Sequence, residues 1–348
     1  MKINLKEIAE RSGVSVMTVS NVINGREGRY SQATYDLVMR VAADLGYVPN
    51  LAAKHLRKGK MGLIALVLPD ILNPYLSELS QQVIIDAAAQ GYTTILTFTN
   101  NDMEIVRRIL DSSLPLPVDG IMLAPHLLNV AEFKLSIPVL LFGEPQADTA
   151  FDNIVLNNFA MAQTATQHLI DLGRRRIAPI GIANGDDLGG MPQQRQQGYE
   201  NAMRMAGLDI DPDWMIKVEI PSFHREHGTF VMEKLLSLKN VPDAVFCFND
   251  LLALGTIKAL IRAGFRIPED IAVIGIDDIV ESKYYNPSLS TISVDRKEIA
   301  ALGVRLLLDR IDGNRNSPPE FFEVPFSLIA RESTIGKNYR IESEKLDG

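Results

Sequence analysis

The sequence predicts an α/β protein with a small all-α, helix-turn-helix head and a larger core of two subdomains built on parallel sheets. Apolar residues recur at helical spacing through the first fifty residues, whereas from Met61 short strand-like runs alternate with helical stretches. Such alternation is typical of parallel sheets covered by helices on both faces. Residues 1–60 contain ten Lys and Arg against five Asp and Glu, and the rest of the chain contains 25 against 38. A basic head indicates a polyanionic partner, although a solvated charged face would give the same count.

The bulk composition is that of an ordinary globular chain. Its 348 residues suffice for two or three domains, and 46 % hydrophobic with 22 % charged residues falls in the globular range. The single cysteine, Cys247, excludes an internal disulfide and fits a reducing compartment. The sequence contains no run of 18 apolar residues and no secretory signal at its start. We therefore expect a cytoplasmic protein that does not contact a membrane.

Three short helices are predicted in the head. Apolar residues recur at helical spacing over 5–9 and again over 19–23, with Gly13 between the two patterns. Ser15 offers an N-cap hydroxyl for the second helix, and Ser31 offers one for a third. Two helices joined by so tight a turn are typical of a helix-turn-helix.

The second helix is the candidate for reading a DNA major groove, where base edges present distinct donors and acceptors. Its polar side chains can pair with base edges, and its exposed apolar side chains can contact thymine methyl groups. We expect it to expose Val16, Met17, Ser20, Asn21 and Asn24 on the face away from the core of the head. A small helical packing domain is the alternative. The candidate DNA contacts from this region are Ser15, Val16, Met17, Thr18, Ser20, Asn21, Asn24 and Arg26.

Residues 49–60 form a short basic segment that begins at a helix-favouring proline and runs for about two turns. An isolated helix needs roughly 12–15 residues to be stable in water, so we expect this one to form only with a partner. Leu56 is an apolar residue among basic ones, which suits a wedge between minor-groove base steps. A flexible linker is the alternative. The candidate DNA contacts here are Asn50, Ala53, Lys54 and Leu56.

The core is predicted to consist of two similar halves, one before and one after residue 158. Ligands of such sheets bind beyond the carboxyl ends of the strands, so the cleft between the halves is the expected pocket. The helix predicted at 74–90 carries a stripe of small and apolar residues that fits either a dimer surface or the core. The predicted strands are 63–68, 93–98, 120–124, 139–142, 177–182, 215–218, 244–248 and 271–276.

The head resembles that of the lactose-repressor/purine-repressor family of bacterial transcription regulators. The similarity is carried by segments 5–9, 13–15, 18–20, 22–25 and 45–50. It implies that the second helix reads operator half-sites in double-stranded DNA. It also implies that the hinge helices of two subunits pair in the minor groove, where Leu56 opens a central base step. The expected partners are therefore operator DNA and a second copy of the chain, as a homodimer or a tetramer. Many members carry Arg or His in place of Asn21, a difference that bears on the operator sequence.

The core resembles the ligand-binding core of the same family, which shares its fold with periplasmic sugar-binding proteins. Matching segments are 71–75, 195–199, 248–250, 253–255, 275–278 and 328–333. The resemblance implies a repressor controlled by a small-molecule effector, a sugar or related metabolite, without a cofactor and without enzymatic activity. The division it implies is a head at 1–48, a hinge at 49–60, an N-terminal subdomain at 61–157 plus 292–324, a C-terminal subdomain at 158–291 plus 325–340, and a loose tail at 341–348.

Six residues are predicted to bind the effector. Arg195 presents a planar fork of donors for hydroxyls or an anion, and Asp277 follows a predicted strand and can accept from hydroxyls. Without the resemblance, a surface charge and a turn cap would explain these two residues as well. Sugar-responsive members often carry an acidic residue where this chain has Gly143, with Glu144 next. The full set is Asn73, Tyr75, Glu144, Arg195, Asn249 and Asp277.

Two other functional classes are alternatives, an enzyme and a transport binding protein. The sequence contains no nucleophile elbow, phosphate-binding loop or zinc-protease motif, which argues against an enzyme. His224 and His227 have a spacing that suits two metal ligands, but nothing nearby in the sequence completes the set. A transport binding protein of the same fold is disfavoured by the basic head and the missing secretory signal.

Overall fold

The computed structural model describes residues 4–23, 25, 28–47, 60–100, 102–110, 118–124, 137–143, 150–183, 190–218 and 223–336. The chain divides into two compact units, Met1–Gly62 and Leu63–Gly348.

The first unit is a bundle of three helices, α1 (Leu5–Ser12), α2 (Val16–Ile23) and α3 (Gln32–Asp44). The predicted N-caps are confirmed, because the hydroxyl of Ser15 accepts from the backbone N–H of Thr18 (3.0 Å) and that of Ser31 from Thr34 (3.2 Å). Gly13 ends α1 in the left-handed conformation, with φ of 67°. The buried core of the unit consists of Ile8, Ala9, Val19, Val22, Val38 and Ala42.

A six-stranded sheet forms one half of the second unit. Its strands are β1 (Leu63–Leu68), β2 (Thr93–Phe98), β3 (Gly120–Leu123), β4 (Val139–Gly143), β5 (Asp152–Val155) and β12 (Phe321–Glu323). They lie in the order β12-β5-β4-β3-β1-β2, and all neighbours are parallel. The helices that accompany this sheet are α4 (Pro74–Ala89), α5 (Met103–Leu110) and α11 (Arg296–Ile311). Helix α11 packs on α4 and on three strands of the sheet.

A five-stranded sheet forms the other half. Its strands are β6 (Ile177–Ile180), β9 (Ala244–Cys247), β10 (Ala272–Ile276), β11 (Ser290–Val294) and β13 (Phe326–Ile329). The order is β13-β11-β10-β9-β6, and only β13 is antiparallel to its neighbour. The accompanying helices are α6 (Asn158–Asp171), α7 (Met191–Met205), α8 (Arg225–Ser237), α9 (Asp250–Arg262), α10 (Val280–Tyr284) and α12 (Glu332–Ile335). A separate pair, β7 (Ile182–Ala183) and β8 (Lys217–Val218), is also parallel.

The predicted fold class is confirmed: a helical head precedes an α/β core with parallel sheets. Strands β9 and β10, in the interior of the five-stranded sheet, are fully buried, which explains why their sequences are continuous runs of apolar residues and glycine. The subdomain boundaries given by the sequence stay a prediction. Among the described residues, no helix has the length and apolar character needed to cross a membrane.

Candidate functional site

A cleft of about 180 Å³ opens at the carboxyl ends of strands from both sheets. Five of the six residues predicted to bind an effector line it, namely Asn73, Tyr75, Arg195, Asn249 and Asp277. The sixth, Glu144, lies outside the described residues. Most of the remaining wall is apolar, with Leu76, Phe142, Ile154, Phe223 and Leu251 among its residues. A ligand in the cleft is therefore held by few polar groups against an apolar surface.

Asp277 directly follows β10 and is only 8 % exposed. None of the described residues donates a hydrogen bond to its carboxylate oxygens, although its backbone groups are paired with Ile292 and Arg296. Burial raises the pKa of Asp277 to about 8, and the nearby Arg195 guanidinium opposes that rise. A buried carboxyl without donors is costly, so this group is prepared to accept hydrogen bonds from a ligand.

Arg195 carries the guanidinium near Asp277 and is 4 % exposed. Its Nε donates to Asn158 Oδ1 (2.9 Å), and its Nη1 donates to the backbone carbonyl of Phe248. These bonds hold the guanidinium plane against the wall of the cleft. A fixed planar fork can donate to adjacent hydroxyls or to an anion.

The two asparagines of the predicted set act as helix caps. Asn73 Oδ1 accepts from the backbone N–H of Tyr75 (3.0 Å) at the start of α4. Asn249 Oδ1 accepts from Leu252 (2.9 Å) at the start of α9, and its Nδ2 donates to the carbonyl of Phe223 (3.1 Å). The amide of Asn249 is thus engaged with the backbone on both sides. Its first effect is to shape the wall, since it ties Phe223 to the beginning of α9.

Tyr75 is half-buried on the first turn of α4, beside the cleft. Its ring centre lies 5.8 Å from the guanidinium of Arg296, within the range of a cation–π interaction. Burial raises the pKa of the Tyr75 hydroxyl far above its ordinary value, with a contribution from Asp277. The ring therefore stays neutral and offers an aromatic face to a ligand.

Several lining residues were not predicted from the sequence. Asp70 follows β1, and its Oδ2 lies 3.9 Å from Nε2 of His224 on the other side of the cleft. Asn158 anchors Arg195, while Phe142 and Phe223 supply aromatic wall. Ligands of such sheets bind beyond the carboxyl ends of the strands, which is the rule that predicted Asp277. Because Asp70 and Phe142 also lie at strand ends, the same rule applied to every strand predicts both. Asn158 and Phe223 have no such signal.

The described part of the chain contains no cluster of three or more His, Cys, Asp or Glu side chains that could hold a metal ion. His224 instead lies near Asp70, and Nδ1 of His227 is buried without a hydrogen-bond partner.

The head presents an apolar surface on α2. Val16 and Met17 are 46 % and 67 % exposed, while the hydroxyls of Ser15 and Thr18 hydrogen bond to each other (2.9 Å) at its start. Ser20 is half-buried. The other candidates, Asn24, Arg26, Asn50, Ala53, Lys54 and Leu56, lie outside the described residues.

The expected exposure of Asn21 is wrong. Its side chain is only 7 % exposed, and its Oδ1 has no hydrogen-bond partner. The physical reason is that α2 packs against both α1 and α3. The buried face of this helix is therefore wider than the apolar stripe of Val19, Val22 and Ile23 predicts. A direct contact between Asn21 and a base edge is therefore not available from this conformation.

Comparisons with known proteins agree with the description of the head and with that of the core. Residues 4–50 match the family model described as bacterial regulatory proteins, lacI family, and residues 166–334 match a periplasmic binding protein-like domain. The chain is 32 % identical over 335 residues to the HTH-type transcriptional repressor PurR of Pasteurella multocida, covering 94 % of this chain and 98 % of that protein. It is 33 % identical over 337 residues to the ribose operon repressor of Haemophilus influenzae, with the same coverage.

Two solved structures with bound sugars are similar to this chain. One is a complex of the transcriptional regulator CelR with cellobiose, with a TM-score of 0.68, 28 % identity, and coverage of 95 % of this chain and 99 % of that one. The other is a LacI family transcriptional regulator from Enterococcus faecium with bound ribose, with a TM-score of 0.66, 26 % identity, and coverage of 78 % and 98 %.

Proposed function

The chain belongs to the lacI family of bacterial regulatory proteins, and from that premise we propose that it is a DNA-binding transcriptional repressor whose effector is a sugar or a closely related polyhydroxylated metabolite. The observation that carries this proposal is the guanidinium of Arg195 and the carboxyl group of Asp277, each more than nine-tenths buried in the wall of one cleft. We assign the cleft a binding role and no catalytic one. As a regulator of transcription in bacteria, the protein acts in the cytoplasm.

The chemistry of the cleft fits a sugar ring. Neighbouring hydroxyls can donate to the carboxylate of Asp277 and accept from the guanidinium of Arg195. The C–H face of such a ring is apolar and suits the walls near Tyr75 and Phe142. An engineered apolar cavity of about 150 Å³ admits benzene, so about 180 Å³ provides room for a single six-membered ring.

The relatives support the same class of effector. One of them is named a ribose operon repressor, and two similar structures contain ribose and cellobiose. An effector changes operator affinity only if it binds two states of the protein unequally. The coupling between such sites is about 1–3 kcal/mol.

The head is proposed to place α2 in the major groove of the operator. Val16 and Met17 are exposed there and suit contacts with thymine methyl groups. The basic residues of the first sixty positions then contact phosphates, which set orientation and salt dependence. For the hinge, Leu56 as a minor-groove wedge remains a proposal from the sequence.

We propose that the protein acts as a homodimer, with a tetramer as the alternative. Several large apolar side chains are exposed on the core just before α4, on α4 and on α10, namely Ile71, Leu72, Ile84, Ile85, Val280 and Tyr284. Val280 lies beside α4, because its backbone N–H donates to Glu78 (3.2 Å). An apolar surface of this kind is typical of an interface between copies, and a two-fold dimer matches a palindromic operator.

A thermal-shift screen of the full chain tests the effector class. A ligand that binds only the folded state raises the melting temperature, so ribose or another single-ring sugar in the panel should raise it. Arg195→Ala should remove the shift, whereas Arg204→Ala on the same helix should keep it, because Arg204 is exposed. A shift produced by nucleobases alone, or one retained in Arg195→Ala, would contradict the sugar proposal.

A further inference from the structure

Two consecutive aspartates after β10 have backbone conformations that residues with a Cβ rarely adopt. The φ angle is 128° at Asp277 and 52° at Asp278. Conformations of this kind persist only where the surrounding structure holds them, and they concentrate at functional sites. The effector-binding carboxyl of Asp277 is therefore presented from a turn that depends on its neighbours.

Arg296, the first residue of α11, supplies the contacts that hold this turn. Its Nη1 donates to the backbone carbonyl of Asp277 (2.6 Å), and its Nη2 donates to that of Asp278 (2.9 Å). The side chain of Asp278 is held separately, since Arg331 Nη2 donates to its Oδ1 (2.6 Å) and Ser293 donates to its Oδ2 (3.0 Å). Arg296 thus fixes the backbone of both aspartates through one planar group.

The same guanidinium is held from α4. Its Nη2 lies 3.1 Å from Oε2 of Glu78, and Oε1 of Glu78 accepts from the backbone N–H of Val280 (3.2 Å). Tyr75, one turn earlier on α4, has its ring 5.8 Å from the guanidinium. The turn after β10 belongs to the half with the five-stranded sheet, whereas α4 packs on the six-stranded sheet. Glu78 and Arg296 therefore join the two halves beside the cleft.

We propose that Arg296, anchored by Glu78, is a positioning residue that presents the carboxylate of Asp277 to the effector and links that carboxylate to α4. The inference rests on the proposed function, because it assumes that the effector contacts Asp277 and connects that contact to a second element, α4. A ligand that hydrogen bonds to the carboxylate of Asp277 contacts a turn whose backbone carbonyls accept from Arg296. Arg296 in turn pairs with Glu78 on α4.

The geometry requires arginine. The planar fork donates to two carbonyls and to a carboxylate at once, whereas a lysine ammonium is a single point of charge on a flexible stem. Arg296→Lys keeps the charge but cannot keep all three contacts. This substitution separates a role in positioning from a role in charge balance.

Hydrogen–deuterium exchange of the effector-free full chain tests the link. In Arg296→Met, the amides of 277–282 and those of the first turns of α4 should exchange faster together, by about tenfold or more, since a hydrogen bond to a charged partner is lost. Arg296→Lys should do nearly the same, and Glu78→Gln should add little to Arg296→Met. Arg262→Met is the control, because its partner Glu233 lies 3.7 Å away on the exposed faces of α8 and α9.

Faster exchange in only one of the two segments, or full protection in Arg296→Lys, would overturn the link. Calorimetry with D-ribose adds a second readout, in which Arg296→Met should weaken binding by about tenfold or more. In the exchange experiment, the protection of amides in β9 and α9 should stay unchanged in this variant. Undiminished D-ribose binding in Arg296→Met would overturn the positioning role. If D-ribose does not bind the unmutated chain, the sugar that raises its melting temperature in the thermal-shift screen replaces D-ribose. If no sugar in the panel binds, the proposed effector class fails, whereas the exchange result still decides the link.

Discussion

The carboxyl group of Asp277 combines burial, a left-handed backbone conformation and the lack of any hydrogen-bond donor among the described residues. The nearby guanidinium of Arg195 is held in a fixed orientation by hydrogen bonds to Asn158 and to the backbone carbonyl of Phe248. One side chain therefore lacks partners that a ligand can provide, and the other is oriented to donate. Together they make this cleft a polar recognition site with an apolar background.

Asp277→Asn should abolish the effector response while leaving effector-free operator binding intact. Hydroxyl donors of a bound sugar favour the ionised carboxylate, which accepts through both oxygens, whereas the amide presents one acceptor and adds a donor that competes with those hydroxyls. Titration of operator DNA with and without effector measures this response. A normal response in both Asp277→Asn and Arg195→Ala would show that the effector binds elsewhere.

The burial of Asp277 also predicts a pH dependence of stability. Between pH 3.8, the ordinary pKa, and about 8, the folded chain holds a proton that the unfolded chain has released. Stability therefore falls as pH rises through this window, by at most about 1.4 kcal/mol per pH unit. Since Asp277→Asn lacks this penalty, its stability relative to the unmutated chain should increase from pH 5 to pH 8 in urea unfolding. A constant difference would contradict the buried, unpartnered carboxyl.

At the residue scale, the sequence placed five candidate side chains in one cleft because each follows a strand end or lies on a recognisable motif. It could not show that the amide of Asn249 is engaged with Leu252 and Phe223, since that depends on packing. It also missed the burial of Asn21, because the second packing partner of α2 is not visible in the apolar stripe of Val19, Val22 and Ile23.

At the element scale, helix caps and strand ends position the functional groups. Helix α2 begins at Ser15, whose hydroxyl is bonded to the N–H and the hydroxyl of Thr18. Helices α4 and α9 begin at Asn73 and Asn249 beside the cleft. The caps thus set the directions of the helices that carry the residues proposed to contact DNA and the effector.

Ser15→Ala should destabilise the head by about 1 kcal/mol, since an N-cap is lost. Operator binding should weaken as well, because α2 carries the exposed Val16 and Met17. Ser31→Ala is the matched control: it removes the equivalent cap of α3, with a similar loss of stability but a smaller loss of operator affinity. Urea unfolding and fluorescence anisotropy measure the two quantities. Equal losses of affinity in both variants would argue against α2 as the recognition helix.

Element prediction succeeded where the chain is uniformly apolar and failed where burial depends on distant partners. Strands β1 and β2 have the bounds that the sequence predicts, Leu63–Leu68 and Thr93–Phe98. Strand β5 was not predicted, because it begins with Asp152 and Asn153, residues typical of turns. Asp152 is buried there because Arg310 and Arg315, more than 150 positions later, donate to it at 2.8 and 3.1 Å. Although burial alone would raise the pKa of Asp152, these bonds hold it below its ordinary value.

At the scale of the whole molecule, function requires operator binding and effector binding to be coupled. The hinge segment 49–60 was proposed from its sequence as the element whose folding depends on DNA and on a second subunit. Such a marginal element can respond to a coupling of only about 1–3 kcal/mol.

Leu56→Ala should weaken operator binding by about tenfold or more, because a buried apolar side chain contributes roughly 1.5–3 kcal/mol. Effector affinity should not change, and the salt dependence should stay the same. Lys54→Ala is the comparison, since loss of a phosphate contact should lower the slope of affinity against salt by about one. Equal operator affinity for Leu56→Ala and the unmutated chain would remove the wedge.

Binding of the full chain to a duplex from beside its own gene, with random duplex as competitor at moderate ionic strength, tests the account most directly. We expect a clear preference for the operator, with affinity that falls steeply as salt rises, since counterions are released from neutralised phosphates. A folded protein that binds the operator and random duplex equally well would contradict its assignment as a sequence-specific repressor.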